Sequence, residues 1–361
     1  MLLPGLIRRL VLTPLTVLIY VVLVVLSPVL AVVAAVCGLA GQRRGFRGLR
    51  VLWFALVALT GETLTLCGLL GLWVWSGFGL RLRTAASVRR HYALLGWFLG
   101  LMYWAGTSIF GVRVSVDGPG LTVREQADLL GHPVIVLSRH AGVGDSFLIV
   151  HYLLSVYRRQ PRVVMAAELQ MDPVVDVAGH RVPNVFVRRG QYGEGVFAEQ
   201  IGQLAGSMGR GDALVLFPEG GNWTPGRWRR AIARLERRGR RDLAARAFEM
   251  PNVLAPRPGG VVAAITSCPQ ADVVFVAHAG VDRLTSAGEV WRSLPLNRDL
   301  RVKWWRVPEA EVPREASRDV QVRWLFDWWQ RIDEWITQNR PAESGRDPVG
   351  AGDGLGDGPA G

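Results

Sequence analysis

From Leu10 to Ala40 the chain carries no charged side chain. A helix crosses the hydrocarbon core of a bilayer with about 20 apolar residues, so this run is long enough to span. It is also too long for the apolar region of a cleaved leader, and a second run follows it. That second run, Val51 to Leu80, is broken only by Glu62, which sits in the polar patch Thr60-Gly-Glu-Thr-Leu-Thr65 and reads as a wetted bend. The link Gln42–Arg50 holds four arginines and reads as a short polar turn. Two spans would leave the N-terminus and everything after Leu80 on one side. That side has Arg8, Arg9, Arg81, Arg83, Arg89 and Arg90, six against four, which places the downstream domain in the cytoplasm. Two re-entrant or interfacial hairpins are the alternative.

A third apolar stretch, Tyr92 to Gly111, follows Arg89-Arg90 and contains Trp97, Phe98, Tyr103 and Trp104. Aromatic residues beside arginine suit a helix lying at the membrane interface, with a third span as the alternative. The charge is distributed accordingly. Residues 1 to 110 hold ten Arg and one acid, +9 of the total +12, which leaves +3 for the rest. Basic excess next to apolar segments points to an anionic membrane surface and away from nucleic acid. Lys303 is the only lysine and carries no functional weight. Cys37, Cys67 and Cys268 are too few and too scattered for a disulfide framework or a zinc site, and read as buried apolar fillers.

From Val112 the texture changes to short β-rich runs alternating with helical patterns. The expected strands are Val112–Val116, Val134–Ser138, Val163–Met165, Val185–Val187, Ala213–Phe217, Val261–Ile265 and Val273–Ala277. Alternation of this kind predicts an α/β domain with a mostly parallel central sheet flanked by helices. Val320 to Thr337, rich in tryptophan at helical spacing, reads as a core-packing helix. The expected organisation is membrane-embedded helices over 1–84, an interfacial helix over 85–111 and the α/β domain over 112–340. The Gly/Pro/Asp-rich stretch 341–361 reads as a disordered tail.

Three polar blocks sit at expected strand ends. His140-Ala-Gly-Val-Gly-Asp145 follows the apolar run Pro133–Leu137. Residues five apart lie roughly 140° from each other on a helix, so they meet only across a turn, which Gly142 and Gly144 permit. A histidine paired with a carboxylate at a strand end suits a general base. Pro183-Asn-Val-Phe-Val-Arg-Arg189 delivers Arg188 and Arg189, and a guanidinium there suits bidentate phosphate binding. Phe217-Pro-Glu-Gly-Gly-Asn-Trp-Thr224 presents Glu219, which can accept from substrate hydroxyls or orient an arginine, beside a backbone that Gly220 and Gly221 leave approachable. In open parallel sheets the carboxyl ends of strands face the ligand crevice, so these blocks are expected to share one pocket.

In that order and spacing the three blocks resemble the motifs of the glycerophospholipid acyltransferase family, the 1-acylglycerol-3-phosphate acyltransferases and their lysophospholipid-acyltransferase relatives. Val253–Gly260, Ala271–Ala277 and the Trp324–Trp335 helix are similar to its lysocardiolipin-type branch. The resemblance covers roughly residues 85 to 340 and implies membrane-bound transfer of a fatty acyl group to the free hydroxyl of a lysophospholipid, with 1-acylglycerol 3-phosphate as the implied acceptor. The acyl donor would be acyl-CoA or acyl-carrier protein, used as a substrate, with no resident cofactor and no metal. His140 would take the hydroxyl proton and Asp145 would orient the imidazole. Arg189, with Arg188 beside it, would bind the acceptor phosphate, and Glu219, Gly220 and Gly221 would seat the glycerol.

The chain departs from the family pattern on the acceptor side. Gly221 stands where relatives have threonine, Pro183 where a glycine often opens the block, Ala167 where a lysine is common and Arg188 where an acid is common. These departures raise a second reading, a catalytically weak membrane lipid-binding relative. A metal site from His140, His151, His180 and His278 fits no standard ligand spacing. A serine hydrolase is disfavoured because Ser146 follows Asp145 without an elbow motif. Arg139 could reach the same phosphate or simply flank a helix. The segment Arg227–Arg246, with nine Arg against Glu236 and Asp242, reads either as a basic helix gripping phosphate or as a solvated one.

Overall fold

The computed structural model describes residues 4–40, 46–117, 131–140, 142, 144–187, 195–280 and 287–340; for Asp145 the description stops at the backbone. Arg188, Arg189, part of the 42–50 link and the 341–361 tail lie outside the described residues.

Three long apolar helices come first: α1 (Gly5–Ala40), α2 (Arg47–Trp75) and α3 (Ala85–Phe110). All three are long and apolar enough to cross a membrane. Arg47 and Arg50 belong to α2 rather than to a turn. The rest of the chain alternates strand and helix: β1 (Arg113–Asp117), β2 (Val134–Ser138), α4 (Asp145–Ser155), β3 (Gln160–Ala166), α5 (Pro173–Gly179), β4 (Val185–Val187), α6 (Val196–Gly206) and β5 (Asp212–Leu216). It continues with α7 (Pro225–Arg237), α8 (Arg241–Phe248), α9 (Pro258–Ser267), β6 (Asp272–Ala279), α10 (Ala287–Ser293), β7 (Asp299–Val307) and α11 (Arg318–Asn339).

Among the described residues seven strands form one sheet in the order β1-β7-β6-β2-β5-β3-β4. Strands β2 to β6 run parallel, whereas β7 is antiparallel to β6 and carries β1 alongside it in parallel. Strand β2 is buried along its whole length. Ile135 and Leu137 face a core shared with α6, α9 and α11, while Val134 and Val136 face Ile149 and Leu153 of α4. A strand covered on both faces must be apolar at every position, which is why this run does not alternate. On α11, Phe326, Trp329, Ile332 and Ile336 are buried, each worth about 1.5–3 kcal/mol, so the tryptophan-rich helix is core packing.

One strand expectation is corrected, and one strand was not expected. Val261–Ile265 lies within α9, where Pro258 occupies the first turn and Gly260 packs against Ile201 of α6. A short apolar run does not distinguish buried helix from buried strand. Conversely, β7 was missed although Leu300, Val302 and Trp304 alternate with Arg301 and Lys303. Cys37 and Cys67 are exposed rather than buried, because they lie on faces of α1 and α2 that no other described residue covers; Cys268 is buried.

Helices α2 and α3 lie along the domain. Arg47, at the start of α2, donates to the carbonyl oxygens of Leu294 and Arg292, both at 2.6 Å. Near the other end, the Leu69 carbonyl accepts from Arg181 at 2.6 Å. Residues 47 and 69 are about 33 Å apart along a helix, so α2 touches the same α/β domain at both ends. Helix α3 does likewise, from Tyr92, whose hydroxyl donates to the Pro161 carbonyl (2.8 Å), to Phe110, whose carbonyl accepts from Leu296 N–H (2.9 Å). In the first turns of α1, Arg8 and Arg9 clasp Asp176 of α5 at 2.5 and 2.9 Å.

Candidate active site

Strand β2 ends at Ser138, and Arg139 and His140 follow at its carboxyl end. Leu137 pairs with Leu216 of the parallel neighbour β5, so the His140 loop and the Phe217–Thr224 loop leave the sheet side by side. They are joined directly: Trp223 N–H donates to the His140 carbonyl at 2.9 Å. The Phe217 ring lies 4.6 Å from the imidazole, tilted by 38°. Strand β4 ends on the same edge, since Val187 pairs with Ala166 of β3. Thus the structure brings His140 and the Glu219–Gly221 turn together, and the strand leading to Arg188 and Arg189 points to the same edge. Asp145 is the first residue of α4, at the far side of the Gly142–Gly144 turn.

The Phe217–Gly221 turn has a specific geometry. Gly220 N–H closes it on the Phe217 carbonyl at 3.0 Å, and Arg257 N–H donates to the Pro218 carbonyl at 2.8 Å. Gly220 has φ +69°, a left-handed backbone where a side chain is strained. A Cβ there would also meet the Arg257 guanidinium at 3.1 Å, and one at Gly221 would meet Nη1 of Arg227 at 3.2 Å. Glycine at 221 therefore accommodates an arginine. Glu219 is 2% exposed, and its neighbours Pro218, Gly220 and Gly221 supply the cavity wall at this point.

That cavity, about 540 Å³, has His140, Ser146 and the Gly220–Gly221 turn on its wall. Its apolar wall comes from Tyr92, Leu95, Phe98 and Leu99 of α3, Phe147 and Val150 of α4, Met165 of β3, and Val174 and Ala178 of α5. Its polar wall includes Asn222, Arg227, Arg234, Arg238 and Arg257. Burial and the like charges of Arg257, Arg238 and Arg237 push the Arg234 guanidinium down to about 10.

Residues 120–265 match the Acyltransferase family model. The acyltransferase-matching segment runs through β2 to β5 and α4 to α8 and closes within α9, so it holds His140, Asp145, Arg188, Arg189 and Glu219. It ends before β6 and leaves out the three apolar helices. A search among curated proteins gives no match.

Other expectations resolve differently. Arg139 is 1% exposed and donates to the carbonyls of His278 (2.7 Å) and Asn252 (3.2 Å), so it braces the His140 loop and does not face a substrate phosphate. Asn252 is held in turn by Asp333 of α11, which accepts from its backbone N–H at 2.6 Å and its side-chain amide at 3.3 Å. This buried chain of contacts was missed, because residues 139, 252 and 333 meet only in three dimensions. His151 stacks on Tyr103 at 4.5 Å and His180 on Phe186 at 4.9 Å, each in its own surroundings. No group of three or more metal-ligating side chains occurs among the described residues. Ala167 is buried. The basic segment is two helices, broken where Gly239 takes φ +73°.

Proposed function

We propose that this protein is a membrane-associated O-acyltransferase that moves a fatty acyl group from acyl-CoA or acyl-carrier protein to the free hydroxyl of a lysophospholipid such as 1-acylglycerol 3-phosphate. The observation that carries this reading is one cavity with His140 and a cluster of guanidiniums on its polar wall and an apolar lining large enough for a hydrocarbon chain. The imidazole of His140 takes the acceptor hydroxyl proton, and Asp145 orients the ring. The oxygen attacks the thioester carbonyl, the C–S bond breaks, and the imidazolium returns its proton to the departing thiolate. A positioned base of this kind is worth roughly 10²–10⁴ in rate. Arg189 and Arg188 bind the acceptor phosphate, and the Glu219–Gly221 turn seats the glycerol. No resident cofactor takes part.

The apolar helices would embed in the cytoplasmic leaflet, with the catalytic domain in the cytoplasm. Because α2 and α3 touch that domain at both ends, the interfacial arrangement fits them better than perpendicular spans. The excess of arginine among residues 1–110 suits an anionic lipid surface.

The test supplies membranes bearing the protein with a labelled acyl thioester and a panel of lysophospholipids and glycerol phosphates, beside a His140→Ala control. Transfer that falls at least about 10²-fold in the control supports the mechanism. Transfer undiminished in His140→Ala would sink it. No transfer to any acceptor would favour the lipid-binding reading that Gly221 and Ala167 raise.

A further inference from the structure

Arg227, Arg234 and Arg238 stand at i, i+7 and i+11. At about 100° per residue these positions fall within roughly 40° of one another, one stripe along α7 and its C-terminal cap. All three line the cavity. A fourth guanidinium, that of Arg257, comes from the segment that opens α9 and lies over Gly220. Arg227 lies over Gly221 in the same way and donates from Nη1 to the Asn222 carbonyl at 3.0 Å. Around Arg234, burial and the like charges of Arg257, Arg238 and Arg237 disfavour the charged guanidinium, a cost that phosphate charge in the cavity would offset. By contrast Arg229 points the other way on the same helix and is exposed.

We propose that Arg227, Arg234, Arg238 and Arg257 form a second phosphate site, carried by α7 and the Gly220–Gly221 turn and additional to Arg188 and Arg189. It takes a reactant group with two or more phosphate charges. Arg227 to Arg238 spread over about 16 Å of helix, which suits a group carrying several phosphates better than a single monoester, each fork pairing with its own oxygen edge. The reactants that bring such a group are a phosphate-rich lipid headgroup or the nucleotide part of the thioester donor. The assignment rests on the acyl-transfer reading for the identity of the reactant and is independent of it for the binding of phosphate.

The full-length His140→Ala protein, in uncharged detergent, is titrated with inorganic pyrophosphate and with inorganic phosphate while its thermal midpoint is followed. Pyrophosphate is expected to bind more tightly than phosphate and to raise the midpoint. Arg234→Gln and, separately, the less central Arg227→Gln should each weaken it by about tenfold or more, a charge-assisted contact being lost. Arg229→Gln should not. Pyrophosphate binding that is absent, or equal in all three variants, overturns the site. In the otherwise native protein, Arg234→Gln should erase the preference for acyl-CoA over acyl-pantetheine if the donor is bound there. It should erase the preference for lysophosphatidate over monoacylglycerol if the acceptor is. Both preferences unchanged would equally overturn the assignment. A protein that transfers no acyl group removes the acyl-transfer reading, and the pyrophosphate titration still decides the site.

Discussion

At the scale of single residues, Gly220 shows how backbone and charge are coupled in this site. Its φ of +69° disfavours a side chain, and its missing Cβ leaves room for the Arg257 guanidinium. Gly220→Ala is expected to cost about 1–2 kcal/mol of stability from the backbone alone. It should also displace Arg257, so the thermal midpoint falls and KM for the phosphate-bearing reactant rises. An unchanged KM would separate the turn from the arginine cluster. The family pattern was legible here because Pro-Glu-Gly follows an apolar strand. The purpose of Gly221 was not, because Arg227 comes from a helix that begins only after the motif.

At the scale of elements, two buried polar contacts hold the site's frame. Asp333 ties α11 to Asn252 and through it to Arg139, next to His140. Asp333→Ala leaves the buried Asn252 N–H without its acceptor, about 1–3 kcal/mol, while the side-chain amide keeps the Thr337 hydroxyl at 2.8 Å. The denaturation midpoint should drop, and acyl transfer should fall more than for a surface variant of equal stability. The second contact is the clasp of Arg8 and Arg9 on Asp176. Burial pushes the Asp176 carboxyl up, but the hydrogen bonds and charges of Arg8 and Arg9 outweigh it and hold it below the usual carboxylate range. With a depressed folded-state value, its stabilisation is present above the unfolded value of about 3.9 and is lost as pH falls through the folded one. Docking of α1 should therefore loosen only below about pH 4, measured as protease access to the first residues. In Asp176→Asn that acid dependence should disappear.

For the whole molecule, α2 and α3 meet the α/β domain at both of their ends, and their outer faces expose Trp53, Trp75, Trp97 and Trp104 at 47–75%. An interfacial layer predicts that brominated lipids quench these tryptophans most strongly with bromine near the headgroup, and to similar extents at both ends of α2. Replacing the four with phenylalanine should lower the quenching to what Trp73 of α2 and the tryptophans of the α/β domain contribute. Strong quenching only from the bilayer centre would favour the spanning arrangement instead.

The sequence by itself determined the segment types. Long uncharged runs are helices in search of an apolar surround, and β2 and β5, covered on both faces, advertise themselves as unbroken apolar stretches. It also determined which polar blocks close the strands, because His140, Arg189 and Glu219 stand directly after them in the chain. Tertiary structure alone decided that α2 and α3 meet the α/β domain at both of their ends, since length and hydropathy do not say which parts of an apolar helix touch protein. It also decided that Arg139 braces a loop while Arg234 faces a cavity. A guanidinium's role depends on which carbonyls or charges surround it, and those come from parts of the chain that spacing does not relate.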